Sequence, residues 1–204
     1  MKTPSYTKTP VTLLRKVNLL AIASISLFAT SISFAHPFEN DADEETVRIL
    51  ANGNLTKVEQ LFKNGMDINR DIDGDGTPLI IAVKNNNRTL VEYLIAGGAD
   101  VNHESLRDGN PLIVAALTNN IDLVAYLYQQ GAHLDAITKH DETALISASR
   151  AGHLRVVKLL VEQGADVNLA VEVQTVRGKE LRSPLNGAKT QEIRDYLIAN
   201  GAQS

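Results

Sequence analysis

The chain has 204 residues, 44% of them apolar and 22% charged, with a formal net charge of −4 and no cysteine. A mildly acidic chain lacks the basic stripe that grips nucleic acid, and without cysteine there are no disulfides in any compartment. The length suits one domain whose stability comes from an apolar core alone.

Residues 1–35 read as an address rather than as fold. Lys2, Lys8, Arg15 and Lys16 make a basic start, residues 19–34 are apolar and uncharged, and Ser33-Phe34-Ala35 has the small-x-small pattern of a signal-peptidase site. Cleavage after Ala35 is expected, leaving 36–204 as the mature domain. It removes four basic and no acidic residues, so the net charge moves from −4 to −8. The signal resembles bacterial ones, which makes the periplasm the expected compartment and release from the cell the alternative. An uncleaved anchor is the competing reading, because residues 17–35 nearly reach membrane-spanning length.

The mature part opens with five carboxylates, Glu39, Asp41, Asp43, Glu44 and Glu45, running into a helical pattern. Negative charge at a helix start suits the helix dipole. The run either solvates an exposed end of the fold or forms an electrostatic docking patch.

From there a fixed period governs the chain. Gly65, Gly98, Gly131 and Gly164 lie 33 residues apart, and Gly201 ends a fifth segment. Thr77-Pro78-Leu79-Ile80-Ile81-Ala82, Asn110-Pro111-Leu112-Ile113-Val114-Ala115 and Thr143-Ala144-Leu145-Ile146-Ser147-Ala148 keep the same spacing. Each is followed by a second apolar run, as in Leu90-Val91-Glu92-Tyr93-Leu94-Ile95, and by a closing Gly98-Ala99-Asp100-Val101-Asn102 or its equivalent. A period of this length marks a stack of helix pairs, none of which can bury its apolar face alone. Thr-Pro supplies a capping hydroxyl and a proline at the first helical position, and the glycine can take the left-handed conformation that closes the second helix. Tyr93, Tyr126 and Tyr128 fall on second helices, where packing is expected, with Tyr128 the one suspected of exposure.

These segments resemble the ankyrin repeat, whose signature runs T-P-L-H-x-A, then G-H, then G-A-D-V-N; Gly152-His153 fits its middle. The resemblance implies an all-α solenoid of helix-turn-helix units joined by short β-turn fingers. Repeats are expected at about 44–69, 70–102, 103–135, 136–168 and 169–204. The signature His is Ile at 80, 113 and 146, so its hydrogen bond to the capping Thr is expected to be absent. In the last repeat seven residues are inserted, and the spacing from Leu185 to Gly201 is three shorter than from Leu79 to Gly98. Alternation in Val171-Glu172-Val173-Gln174-Thr175-Val176 before Arg177-Gly178 predicts a β-hairpin. It serves either as a cap over the last repeat or as a partner-binding arm carrying Arg177, Lys179 and Arg182.

No catalytic or metal-binding pattern emerges. The five histidines never pair at helical spacing, and Asp71, Asp73 and Asp75 lack the glutamate that would complete a calcium loop, its place being taken by Ala82. An Asp-Gly turn is the better account, and no cofactor is expected. The resemblance implies binding of a protein on the concave face made by the fingers and inner helices. The acidic charge argues against nucleic acid, and the row of alternating sign there suits a protein surface better than a lipid. The first-helix positions there are Lys84, Asn85, Leu117, Thr118 and Arg150, and the finger positions are Asp73, Asp75, Arg107, Asp108, Lys139 and His140. The chain is expected to be monomeric by itself. It is similar to secreted bacterial ankyrin proteins that assist an exported enzyme, some of them linked with catalase and oxidative-stress defence. An immunity protein that neutralises a periplasm-acting toxin, such as a phospholipase effector, is the alternative.

Overall fold

A computed structural model describes residues 41–72, 74–138, 142–176 and 178–203. The expected leader and Glu39 lie outside the described residues. The elements are α1 (Asp41–Asn52), α2 (Leu55–Lys63), α3 (Pro78–Lys84), α4 (Arg88–Ala96), α5 (Pro111–Leu117), α6 (Ile121–Gln129), α7 (Ala144–Ala151), α8 (Leu154–Glu162), β1 (Val171–Thr175), β2 (Gly178–Arg182) and α9 (Gln191–Ala199). The helices fall into two rows. In the first, α1 packs on α3, α3 on α5 and α5 on α7; in the second, α6 packs on α8 and α8 on α9. Each pair, such as α3 with α4 or α5 with α6, closes one repeat.

The first helices α3, α5 and α7 begin at the caps the sequence supplies. Thr77 Oγ1 accepts from the Ile80 amide at 3.3 Å, Asn110 Oδ1 from Ile113 at 2.9 Å and Thr143 Oγ1 from Ile146 at 3.2 Å. The missing signature histidine therefore leaves the turn intact. The isoleucines that replace it fill the core instead, Ile80 and Ile146 being 0% exposed. Residues 78–83, 111–116 and 144–149 are buried throughout, sandwiched between neighbouring repeats and their own second helices. The second helices bury a narrower stripe, Leu90, Val91 and Leu94 in α4 and the same three positions in α6 and α8.

The repeated glycines close the second helices as expected. At Gly131 (φ +94°) the Gly131 amide reaches Tyr128 O and the next amide, Ala132, reaches Leu127 O, each at 2.9 Å. This is the Schellman arrangement that satisfies the last carbonyls of a helix. The bend between the two helices of a repeat uses the left-handed region again, and here the period hides a change of residue. Gly53 and Gly152 serve the first and fourth repeats, whereas Asn86 (φ +52°) and Asn119 (φ +58°) serve the second and third. Asparagine is the side chain best able to tolerate that conformation. The residues that follow cap the second helices: Asn87 Oδ1 accepts from Leu90 at 3.0 Å and Asn120 Oδ1 from Leu123 at 3.0 Å. His153 has no capping bond; its Nε2 donates to Leu117 O of the preceding repeat at 2.9 Å, and the acceptor-only partner fixes the tautomer.

Side-chain amides tie the loops together. Asp100 N donates to Asn69 Oδ1 at 2.8 Å and His133 N to Asn102 Oδ1 at 2.9 Å, each bond crossing from one repeat to the next. Within the acidic start, Asp43 pairs with Arg70 at 2.6 Å and Glu45 with Arg48 at 2.5 Å. On the outer row, Arg88 lies 3.9 Å over the Tyr126 ring. Tyr93, Tyr126 and Tyr128 are all half-buried, so Tyr128 is less exposed than the sequence suggested. Burial, and secondly the Glu162 carboxylate, raise the Tyr196 phenol above its ordinary value.

The insertion forms the expected hairpin. β1 and β2 pair antiparallel with Val173 opposite Glu180 and Thr175 opposite Gly178. Gly178, expected in the turn with Arg177, instead opens the return strand, because it is paired with Thr175. In earlier repeats the same place holds only a single bridge, Ile72 with Gly76 or Ser105 with Gly109. The hairpin is therefore a lengthened finger. Val173, 3% exposed, anchors one face of it. Behind it residues 184–187 make one turn, closed by Gly187 N to Ser183 O at 3.0 Å, in place of a full first helix.

Two substitutions test this packing. Gly131→Ala meets no atom within 4 Å, so its cost is conformational alone, about 1–2 kcal/mol, read as a lower melting temperature. Ser149 Oγ is buried without a hydrogen-bond partner, so Ser149→Ala is expected to raise stability by about 1 kcal/mol. A fall in melting temperature for Ser149→Ala would mean that the hydroxyl is satisfied in solution.

Candidate functional site

The burial of the first helices leaves their C-terminal ends, beside the fingers, as the parts of those helices that solvent reaches. Along those ends run Lys84, Leu117 and Arg150, 33 residues apart and all exposed. Their environments differ. Lys84 Nζ spans two fingers, donating to Asp75 O at 3.1 Å in its own repeat and to Asp108 Oδ2 at 2.7 Å in the next. Arg150 pairs with Glu142, its stem lying against Gly187, where a Cβ would sit 2.6 Å from Arg150 Cγ. Between these two ion pairs stands Leu117, 45% exposed.

Asn85 and Thr118 lie beside this row, but their donors are engaged. Asn85 Nδ2 donates to Ile81 O at 2.8 Å and Thr118 Oγ1 to Val114 O at 2.9 Å, both inside their own helix ends. They act first as C-caps.

On the fingers, Asp75 is exposed, with its carbonyl taken by Lys84. Its backbone closes the tight Asp-Gly turn, with Asp75 N to Ile72 O at 2.9 Å. Arg107 is exposed and its guanidinium lies across Gly74 of the neighbouring finger, where a Cβ would meet Nη1 at 2.9 Å. Asp108 is half-buried and committed to Lys84. Asp73, Lys139, His140 and Arg177 fall outside the described residues.

The basic cluster of the hairpin is divided. Lys179 pairs with Glu172 across the strands at 2.5 Å. Arg182 turns back to Glu142 at 3.7 Å, so the hairpin arginine and the inner-helix arginine meet at one carboxylate. Glu142 is 15% exposed and also accepts from Ser147 Oγ at 2.6 Å. A depression of about 250 Å³ beside it is lined by Arg150, Glu180, Leu181, Arg182 and Asn186. Arg182 thus ties the hairpin to the stack. Nothing in the spacing of the sequence announces Glu142 as the shared partner, because the inserted residues bring Arg182 to it.

Sequence reading also passed over two exposed apolar side chains. Leu106 is 65% exposed at a finger tip and Ile137 51% exposed at the base of the next finger. The first was within reach: Leu106 occupies the slot of Asp73 and Lys139, 33 residues either side, and an aliphatic residue at a position otherwise charged is a signal. Among the described residues, no three His, Cys, Asp or Glu side chains gather as a metal site, and no helix is long and apolar enough to cross a membrane.

The family model described as Ankyrin repeats (3 copies) matches residues 20–105 and 98–170. The match begins within the expected leader and ends before the hairpin, although β1, β2 and α9 add a lengthened finger and a further second helix. A comparison with curated proteins returns no match. Capped helix pairs stacked at a period of 33, with fingers between them, agree with the family match, and the chain belongs to the ankyrin-repeat family, a family of protein–protein interaction modules.

Proposed function

We propose that this chain is a non-enzymatic, exported binding module that captures a partner protein on the finger and inner-helix face. The observation that carries this reading is the contrast along that face. Its charges largely satisfy one another, Lys84 with Asp108 and Arg150 with Glu142, while Leu106, Leu117 and Arg107 are left exposed. An apolar centre rimmed by paired charges, with an arginine beside it, has the composition of an interface hot spot. The leader supports export to the periplasm, where the partner is an exported enzyme, of the catalase or oxidative-stress type, that the module assists. Neutralisation of a periplasm-acting toxin uses the same face, and the identity of the captured protein chooses between them.

Export is tested by sequencing the N-terminus of the periplasmic form, which is expected to begin at His36; a membrane-bound form retaining residues 1–35 overturns it. The face is tested by combining Arg107→Glu with Leu117→Arg. Affinity for the captured partner is expected to fall about tenfold or more, with an unchanged melting temperature. Undiminished affinity moves the site elsewhere. Arg150→Glu is unsuitable as a surface probe, because it sets a second carboxylate against the mostly buried Glu142; it should cost about 1–2 kcal/mol of stability.

A further inference from the structure

In a repeat stack the seams can be compared position by position, because each repeat touches only its neighbours. Three positions set the seam between the third and fourth repeats apart from the seam before it, between the second and third. The first lies in the loop ladder. Asn102 both accepts from His133 N at 2.9 Å and donates through Nδ2 to Gly131 O at 3.0 Å. Asn168 repeats the pair with Gln203 N at 2.8 Å and Gly201 O at 3.0 Å. Asp135, 33 residues after Asn102, accepts from Asp166 N at 3.0 Å, but a carboxylate has no N–H to return. It also brings a negative charge next to Asp166, whose own carboxylate already accepts from Asn168 N at 2.8 Å.

The second position is on the inner row. Lys84 joins its repeat to the next finger through Asp108, whereas Leu117, its equivalent in the third repeat, has no charge with which to do so. The third is α7 itself. Where α3 buries Ile81 and Val83, and α5 buries Val114 and Ala116, α7 buries Ser147 and Ser149. Two hydroxyls thus replace aliphatic groups in that first helix, and Ser149 Oγ finds no partner. A polar tie, the His153 Nε2 bond to Leu117 O, crosses this seam behind the first helices.

We propose that this seam is a hinge built into the stack, at which α7, α8, the hairpin and α9 open together from α3, α4, α5 and α6. Each of the three substitutions weakens the same junction by its own mechanism: a lost hydrogen-bond donor with added like-charge repulsion, a lost ion pair, and apolar burial exchanged for buried hydroxyls. Leu117 and Arg150 stand on opposite sides of it, so opening changes their separation and with it the centre of the inner face.

Hydrogen exchange of the full-length chain, read by mass spectrometry on peptides covering each helix, tests the hinge. Amides of α7 and α8 are expected to exchange together with α9, at least about tenfold faster than those of α3, α4, α5 and α6, with the step between residues 135 and 144. Asp135→Asn restores the residue used at the neighbouring seams. It is expected to slow α7, α8 and α9 about threefold or more while leaving α3 and α4 unchanged. Exchange that rises smoothly from the middle of the stack towards both ends, with α7 as slow as α5, would be ordinary end fraying and overturns the hinge. So does an Asp135→Asn variant that slows every helix alike.

Discussion

Burial of the first helices between neighbouring repeats is the constraint on which the rest of this protein depends. Residues 78–83 and 111–116 have no exposed member, so α3 and α5 exist as helices only because another repeat lies on either side. A seven-residue helix is too short to persist in water without that packing. The period of 33 follows from it. An extra residue inside a repeat would rotate its apolar positions away from those of the neighbours, whereas the caps and left-handed closures keep every repeat at the same length.

That constraint also decides where variation is tolerated. Fingers stand at the edge of the stack, so the seven-residue insertion of the last repeat lengthens a finger into β1 and β2. The shortened first helix behind it is reduced to one turn at 184–187. The hairpin is not a free arm along its whole length. Val173 is buried against the body, and Arg182 reaches Glu142, which is already held by Ser147 and Arg150. The loop residue Val176 and the outward-facing Leu181 remain exposed. The base of the hairpin is thus held to the stack, while described residues farther out on it face solvent.

The inner face follows a similar division. A row of side chains at helix ends, repeated every 33 residues, would be a uniform stripe if the residues were alike. Here they are Lys84, Leu117 and Arg150, and the two cations are drawn into ion pairs with finger carboxylates. Surface ion pairs contribute little to stability, typically about 0–1 kcal/mol, but they change what a partner meets. A face that looks alternately charged in the sequence becomes an apolar centre between neutralised pairs.

The sequence by itself determined the fold class, the repeat period, the capping chemistry, the hairpin in the last repeat and the faces that are buried. All of these are local or periodic, so residue type and spacing contain them. It also picked out the row at Lys84, Leu117 and Arg150, because repeat equivalence places these residues on one side. Only the tertiary structure decided what that row can offer. The pairing of Lys84 with Asp108, the meeting of Arg150 and Arg182 at Glu142, and the turning of Asn85 and Thr118 into their own helix ends depend on distances between repeats and on rotamers. The use of Asn86 and Asn119 at left-handed bends was likewise hidden, since asparagine is compatible with a helix cap, a turn or a helix end until the backbone angle is known. Spacing fixes which residues share a face; which of them are already occupied is settled by contacts across a seam, and those arise only once the repeats are stacked.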